Sequence, residues 1–169
     1  SLNVLSDGTL FIEASGDPDF GQTHLRTLIS ILNTRKYNSD LKVPILVVSN
    51  DESNWWPSSW SLSDRNEEYG APITKYSIAS NSSTNALKNP ILNFSRELDR
   101  VLKVYNLSDK YKVITVIDQP NLNHKKTINT IYSAPLYILL NLVNSESHNF
   151  TSEVIFRTSL NNWSHNFPN

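Results

Sequence analysis

Between Thr9 and Leu32 an apolar run (TLFIEAS) passes through a short loop flanked by glycines (GDPDFGQT) straight into an amphipathic stretch (HLRTLISIL). Leu25, Leu28, Ile29 and Leu32 recur at i, i+3, i+4 and i+7, which gives a helix one buried face. Two more near-continuous apolar runs follow, Val43 to Ser49 (VPILVVS) and Lys112 to Asp118 (KVITVID). Strands buried on both faces look like this, as in parallel sheets covered by helices. A strand, a tight loop and a helix, followed by further buried strands, predict an α/β chain rather than an all-α or all-β one.

The remaining segments fill in this pattern. Leu2 to Leu5 is a short apolar lead-in, and Ser6-Asp7-Gly8 is a turn. Asn33 to Asp40 is a polar connection. Residues 50–72 form a long polar loop with three tryptophans, of the kind that is functional, an interface or partly disordered. Ile73 to Ala79 reads as a short strand, and the Asn/Ser-rich stretch 80–89 as a mobile loop. A helix opens at Asn89-Pro90 and turns Ile91, Phe94, Leu98, Val101, Leu102 and Tyr105 inward. Arg96, Glu97, Asp99, Arg100 and Lys103 make its solvated side. Asn121 to Val143 reads as helical, broken or kinked at Pro135. Glu153 to Thr158 reads as a last strand before a Trp-containing tail. The whole, residues 1–169, predicts one α/β domain with three layers, a mostly parallel sheet with helices on both faces. Right-handed crossovers bring the loops after the strands to one edge.

Bulk composition excludes several function classes. The net charge is −1 and the pI about 6.4, so no field draws the whole chain to nucleic acid or an anionic membrane. No run approaches a membrane span. There is no cysteine, which removes disulfides, thiolate–zinc sites and thiol catalysis. There is also no methionine, and a chain beginning at Ser1 reads as a processed or trimmed piece of something longer. Five N-x-[ST] sequons stand at Asn81, Asn93, Asn106, Asn149 and Asn162. The chain's 21 Asn and 34 Ser plus Thr give about four by random placement. The sequons therefore weigh little, and the expected compartment is cytoplasmic or nuclear, with a glycosylated lumenal domain as the alternative. His24, His124, His148 and His165 show no metal-ligand spacing, and no metal or cofactor is expected.

The eight residues Gly16 to Thr23 match the phosphate-loop pattern G-x-x-x-x-G-K-[ST] at every fixed position except one, where Gln22 replaces lysine. In such a loop backbone N–H groups and the helix N-terminus cradle phosphates, lysine neutralises them, and the hydroxyl holds magnesium. Here Thr23 is in place, but Gln22 carries no charge, and Asp17 and Asp19 are negative where phosphate would sit. Asp19 also suits a helix N-terminus. The loop is thus either a structural turn or a weakened ligand site made of Gly16, Gly21, Gln22 and Thr23. KVITVID ends on Asp118, as does the magnesium-holding strand of phosphate-loop NTPases. Trp55, Trp56 and Trp60 lie within six residues, and Trp163 lies in the tail. Tryptophans so clustered either anchor a partner or fold back to cap the sheet. The loop around the first three is acidic, which disfavours stacking on single-stranded nucleic acid.

TLFIEAS-GDPDFGQT-helix, then VPILVVSNDE with aromatics after it, then a helix and KVITVIDQPN, resembles the RecA-type ATPase core. It is most similar to diverged RecA-like subunits that keep the fold and lose the catalytic motifs. The accessory RecA-like subunits of Elongator, a tRNA wobble-uridine modification complex, and the Shu-complex relatives of the recombinases are two such groups. The resemblance runs from about Gly8 to Trp163. It implies a non-catalytic subunit in a heteromer with other protein subunits, linked to tRNA modification or DNA repair and reaching nucleic acid only through the complex. The competing expectation is an active small-ligand or nucleotide enzyme at the same edge, using Thr23, Asp118, Gln119 and His124 with a cation lent by a partner.

Overall fold

The computed structural model describes residues 1–34, 41–49 and 55–160. They fall into two compact units. One comprises Ser1–Ala14, Gln22–Ser49 and Ile91–Tyr132; the other comprises Ser15–Gly21, Asn50–Pro90 and Ser133–Asn169.

The first unit holds the sheet. Its strands are β1 (Leu2–Val4), β2 (Leu10–Ile12), β3 (Val43–Val48), β4 (Tyr111–Val116) and β5 (Lys126–Asn129). They lie in the order β4-β3-β2-β1-β5. β2 pairs with β3, and β3 with β4, in parallel. β1 is antiparallel to both β2 and β5. The expected mostly parallel sheet is therefore corrected to an open, mixed five-stranded one. The difference comes from the lead-in at Leu2, which is a strand inserted between β2 and the edge strand β5. Ser6-Asp7-Gly8 turns it back on β2: Leu5 N–H donates to Thr9 O at 2.8 Å, and Gly8 sits at φ +85°, where a Cβ would be strained. Asn3 is fully buried on this strand and accepts from Thr127 Oγ1 of β5 at 2.7 Å.

Helix α1 (Gln22–Ser30) buries Leu25, Leu28 and Ile29, and Leu32 continues the stripe into a turn of 3₁₀ helix. Asn129 Nδ2 of β5 donates to Thr27 O and Leu28 O, both at 2.9 Å, and so fixes α1 to the strand. Helix α2 (Pro90–Val104) buries Ile91, Phe94, Leu98, Val101 and Leu102, as its spacing predicts. Glu97, expected on the solvated side, is buried as well. Together with the buried residues of β1 to β4 these side chains form an α/β core.

The second unit departs most from the sequence expectations. Ile73 to Ala79 is not a strand; Ala79, Ser80 and Asn81 form a 3₁₀ turn with φ of 50°, 54° and 54°. The helical region expected over 121–143 divides into β5 of the first unit and helix α3 (Leu136–Glu146), which begins just after Pro135 instead of bending there. Pro135 O accepts from Ile138 and Leu139 N–H, so the proline opens the helix where its missing N–H costs nothing. The last expected strand is helix α4 (Asn149–Ser159). Phe150, Val154 and Arg157 point inward at i, i+4 and i+7, and Arg157 Nε bonds Glu153 Oε1 at 2.6 Å one turn away.

Candidate functional site

The glycine loop is built on Gly16, whose φ of +78° excludes ordinary side chains. The chain then turns on Asp17: Asp19 N–H donates to the Asp17 carboxylate at 3.0 Å, and Phe20 N–H to Asp17 O at 3.3 Å. These are N–H groups of the kind a phosphate loop aims at its ligand. The outer side of the loop is held too. Ser77 Oγ donates to Asp17 O and Ser80 Oγ to Pro18 O, both at 3.2 Å, and Ala79 N–H to Phe20 O at 3.0 Å. The left-handed run at 79–81 makes these contacts and is itself anchored by buried Asn81, whose Nδ2 donates to Pro72 O and Thr74 Oγ1 at 2.8 Å.

In the first unit Gln22 opens α1, with Thr23 exposed beside it. Gln22 Nε2 donates to Glu97 Oε2 of α2 at 2.9 Å, and Arg100 pairs with the other carboxylate oxygen. The residue at the lysine position is thus committed to a buried carboxylate. Asp118 lies exposed past the end of β4, as do Gln119 and His124. β3 separates β4 from β2 in the sheet. Among the described residues no cluster of three or more His, Asp or Glu is placed to hold a metal ion. No helix among them is long and apolar enough to cross a membrane.

The tryptophans serve the second unit's own packing. Trp55 is buried and its carbonyl accepts from Ile73 N–H at 2.7 Å. Trp56 Nε1 donates to Gly70 O at 2.9 Å, and the Arg65 guanidinium stands 4.9 Å over its ring. Trp60 packs on the cluster of Ile73, Phe150 and Val154. Trp163 and the sequon at Asn162 lie outside the described residues. Of the other sequons, Asn81 is buried, Asn93 half-buried, and Asn106 and Asn149 exposed.

Two features were not singled out in the sequence. The first is the surface of α3, where only Leu139 is buried. Leu136, Tyr137, Ile138, Leu140 and Leu142 are 59, 66, 44, 44 and 37 % exposed. The apolar composition of LYILLNLV is legible in the sequence, but composition alone does not show that most of it stays exposed. The second is His148, which caps α4. Its Nδ1 lies 2.6 Å from Thr151 Oγ1 and accepts from Thr151 N–H at 3.4 Å. Burial holds the imidazole pKa below its usual value, and the Glu68 carboxylate opposes that shift. Glu68, Tyr69 and Glu146 face it across a cavity of about 250 Å³.

No known protein family, curated protein or solved structure matches the chain.

Proposed function

We propose that the protein is a non-catalytic, phosphate-loop-like subunit that acts by assembly with other protein subunits, in a heteromer of the RecA-like kind linked to tRNA modification or DNA repair. In this reading its three-layer RecA-like ancestry survives as fold, and its nucleotide chemistry is gone. The observation that carries the assembly role is α3, a helix free of charge from Leu136 to Ser145 with five large apolar side chains at least one-third exposed. Apolar surface on this scale marks interaction sites on soluble proteins. Two observations support the loss of chemistry. Gln22 is spent on Glu97, and the loop N–H groups of Asp19 and Phe20 are spent on Asp17.

The test pairs two measurements on the full chain. Titration calorimetry with ATP or GTP and magnesium is expected to show no binding. Native mass spectrometry of complexes recovered from the natural source is expected to show a heteromer of fixed stoichiometry. The double substitution Tyr137→Asp and Leu140→Asp removes that heteromer while circular dichroism stays unchanged. Micromolar, magnesium-dependent nucleotide binding overturns the non-catalytic part. A heteromer indifferent to both substitutions overturns the role of α3.

A further inference from the structure

A groove of about 330 Å³ runs between α1 and α2 within the first unit. Arg26 of α1 and Arg100 and Lys103 of α2 line it, with Val104 also exposed along it. The one carboxylate there, Glu97, has a side chain only 9 % exposed and is already bonded by Gln22 and Arg100. Among the described residues the side chains of Arg26 and Lys103 enter no ion pair. In a chain whose net charge is −1, the groove therefore concentrates uncommitted positive charge from two helices beside an exposed apolar side chain.

We infer that this groove is a docking site for an acidic, partly apolar segment of a partner protein. Carboxylates on either side of the segment meet Arg26 on one wall and Arg100 and Lys103 on the other, and an apolar side chain between them covers Val104. Charge complementarity of this sort sets partner choice and on-rate more than raw affinity. A nucleic acid fits less well. No aromatic side chain lines the groove to stack a base, and a carboxylate sits in its wall. The groove shares no residue with α3, so its test stands or falls independently of assembly through that helix.

Fluorescence anisotropy on the full chain tests it with three labelled probes: a short peptide of alternating leucine and paired glutamates, the same peptide with glutamine for glutamate, and a single-stranded RNA of similar length. The glutamate peptide is expected to bind, roughly tenfold more weakly when salt is raised from about 50 to 300 mM. The glutamine peptide is expected not to bind. Arg26→Glu with Lys103→Glu is expected to abolish binding. Should that double variant unfold, Arg26→Gln with Lys103→Gln carries the test, with a loss of roughly tenfold. No binding of the glutamate peptide, equal binding by the variants, or tighter binding of the RNA each overturns the inference.

Discussion

His148 makes the stability of the α3–α4 corner depend on pH, and the dependence has a definite sign. Its Nδ1 accepts from Thr151 N–H, one of the donors that the first turn of α4 leaves without an intrahelical partner. Accepting requires the neutral imidazole with its proton on Nε2. Protonation puts a hydrogen on Nδ1, which then donates to Thr151 Oγ1 and no longer accepts from Thr151 N–H, so the cap is lost. Burial lowers the folded-state pKa, with Glu68 opposing from across the cavity. The unfolded chain then binds the proton more readily, so stability rises with pH through this range. The contribution is complete above about pH 6.5, the unfolded value, and is lost as pH falls through the lower folded value. A side-chain N-cap contributes about 1 kcal/mol, which corresponds to about 2–4 °C in melting temperature for a chain of this size. His148→Asn keeps an acceptor that does not titrate, and His148→Ala removes it. Thermal unfolding followed by circular dichroism is expected to place wild type and His148→Asn together at pH 7.5, with His148→Ala about 2–4 °C lower. At pH 5 wild type falls toward His148→Ala while His148→Asn does not. A His148→Asn variant that follows wild type across the whole range refutes the cap as the source of the pH dependence.

Other substitutions test the packing around the glycine loop and the tryptophans. Gln22→Lys supplies the lysine of the phosphate-loop pattern, yet calorimetry with magnesium and ATP is expected to show no heat of binding, because Glu97 captures the new cation and Asp17 occupies the N–H groups of Asp19 and Phe20. Glu97→Ala removes the acceptor shared by Gln22 and Arg100, whose exposed side chains can turn to water, and is expected to cost about 0.5–1.5 kcal/mol in urea unfolding, with Glu97→Gln costing less. Gly70→Ala would put a Cβ 1.9 Å from Asp64 O, so the backbone that receives Trp56 Nε1 must move. The expected cost is about 1–3 kcal/mol, with a red shift of tryptophan emission as the readout.

The parts of the fold legible in the sequence are those whose apolar spacing has one solution. VPILVVS and KVITVI are strands as read, and the stripes of α1 and α2 allow only a helix, but the expected burial on both faces fails for β4, an edge strand in which only Tyr111 is buried and Lys112 and Thr115 are exposed. Short elements were not legible in this way. LNV in β1 and KTIN in β5 are three and four residues long, and their place in the sheet depends on pairing partners far away in sequence. EVIFRT alternates well enough to pass for a strand. Its helical state depends on an upstream cap at His148 and on the Glu153–Arg157 pair, which is close only at helical spacing. Glu97 illustrates the same limit within the candidate site. Its charge placed it on the solvated side of α2, and the Arg100 guanidinium on its own helix together with the Gln22 amide from another helix makes its burial tolerable.

The glycine loop fits a phosphate-loop pattern in sequence while its backbone donors are used within the chain. A phosphate loop works because several backbone N–H groups converge on a space with no protein acceptor in it. In GDPDFGQT the acceptor is supplied by the chain: the Asp17 carboxylate takes the N–H of Asp19, and its carbonyl takes the N–H of Phe20. Glu97 on the neighbouring helix gives Gln22 an acceptor that would bind a lysine no less readily. A lysine at position 22 alone therefore does not make an anion site. Asp17 must lose its carboxylate and Glu97 its charge before a cation at position 22 has phosphate as its best partner. The bonds from Ser77, Ala79 and Ser80 meanwhile hold the loop in its self-satisfied form. The donors that a ligand would need are thus engaged within the chain at Asp19 and Phe20.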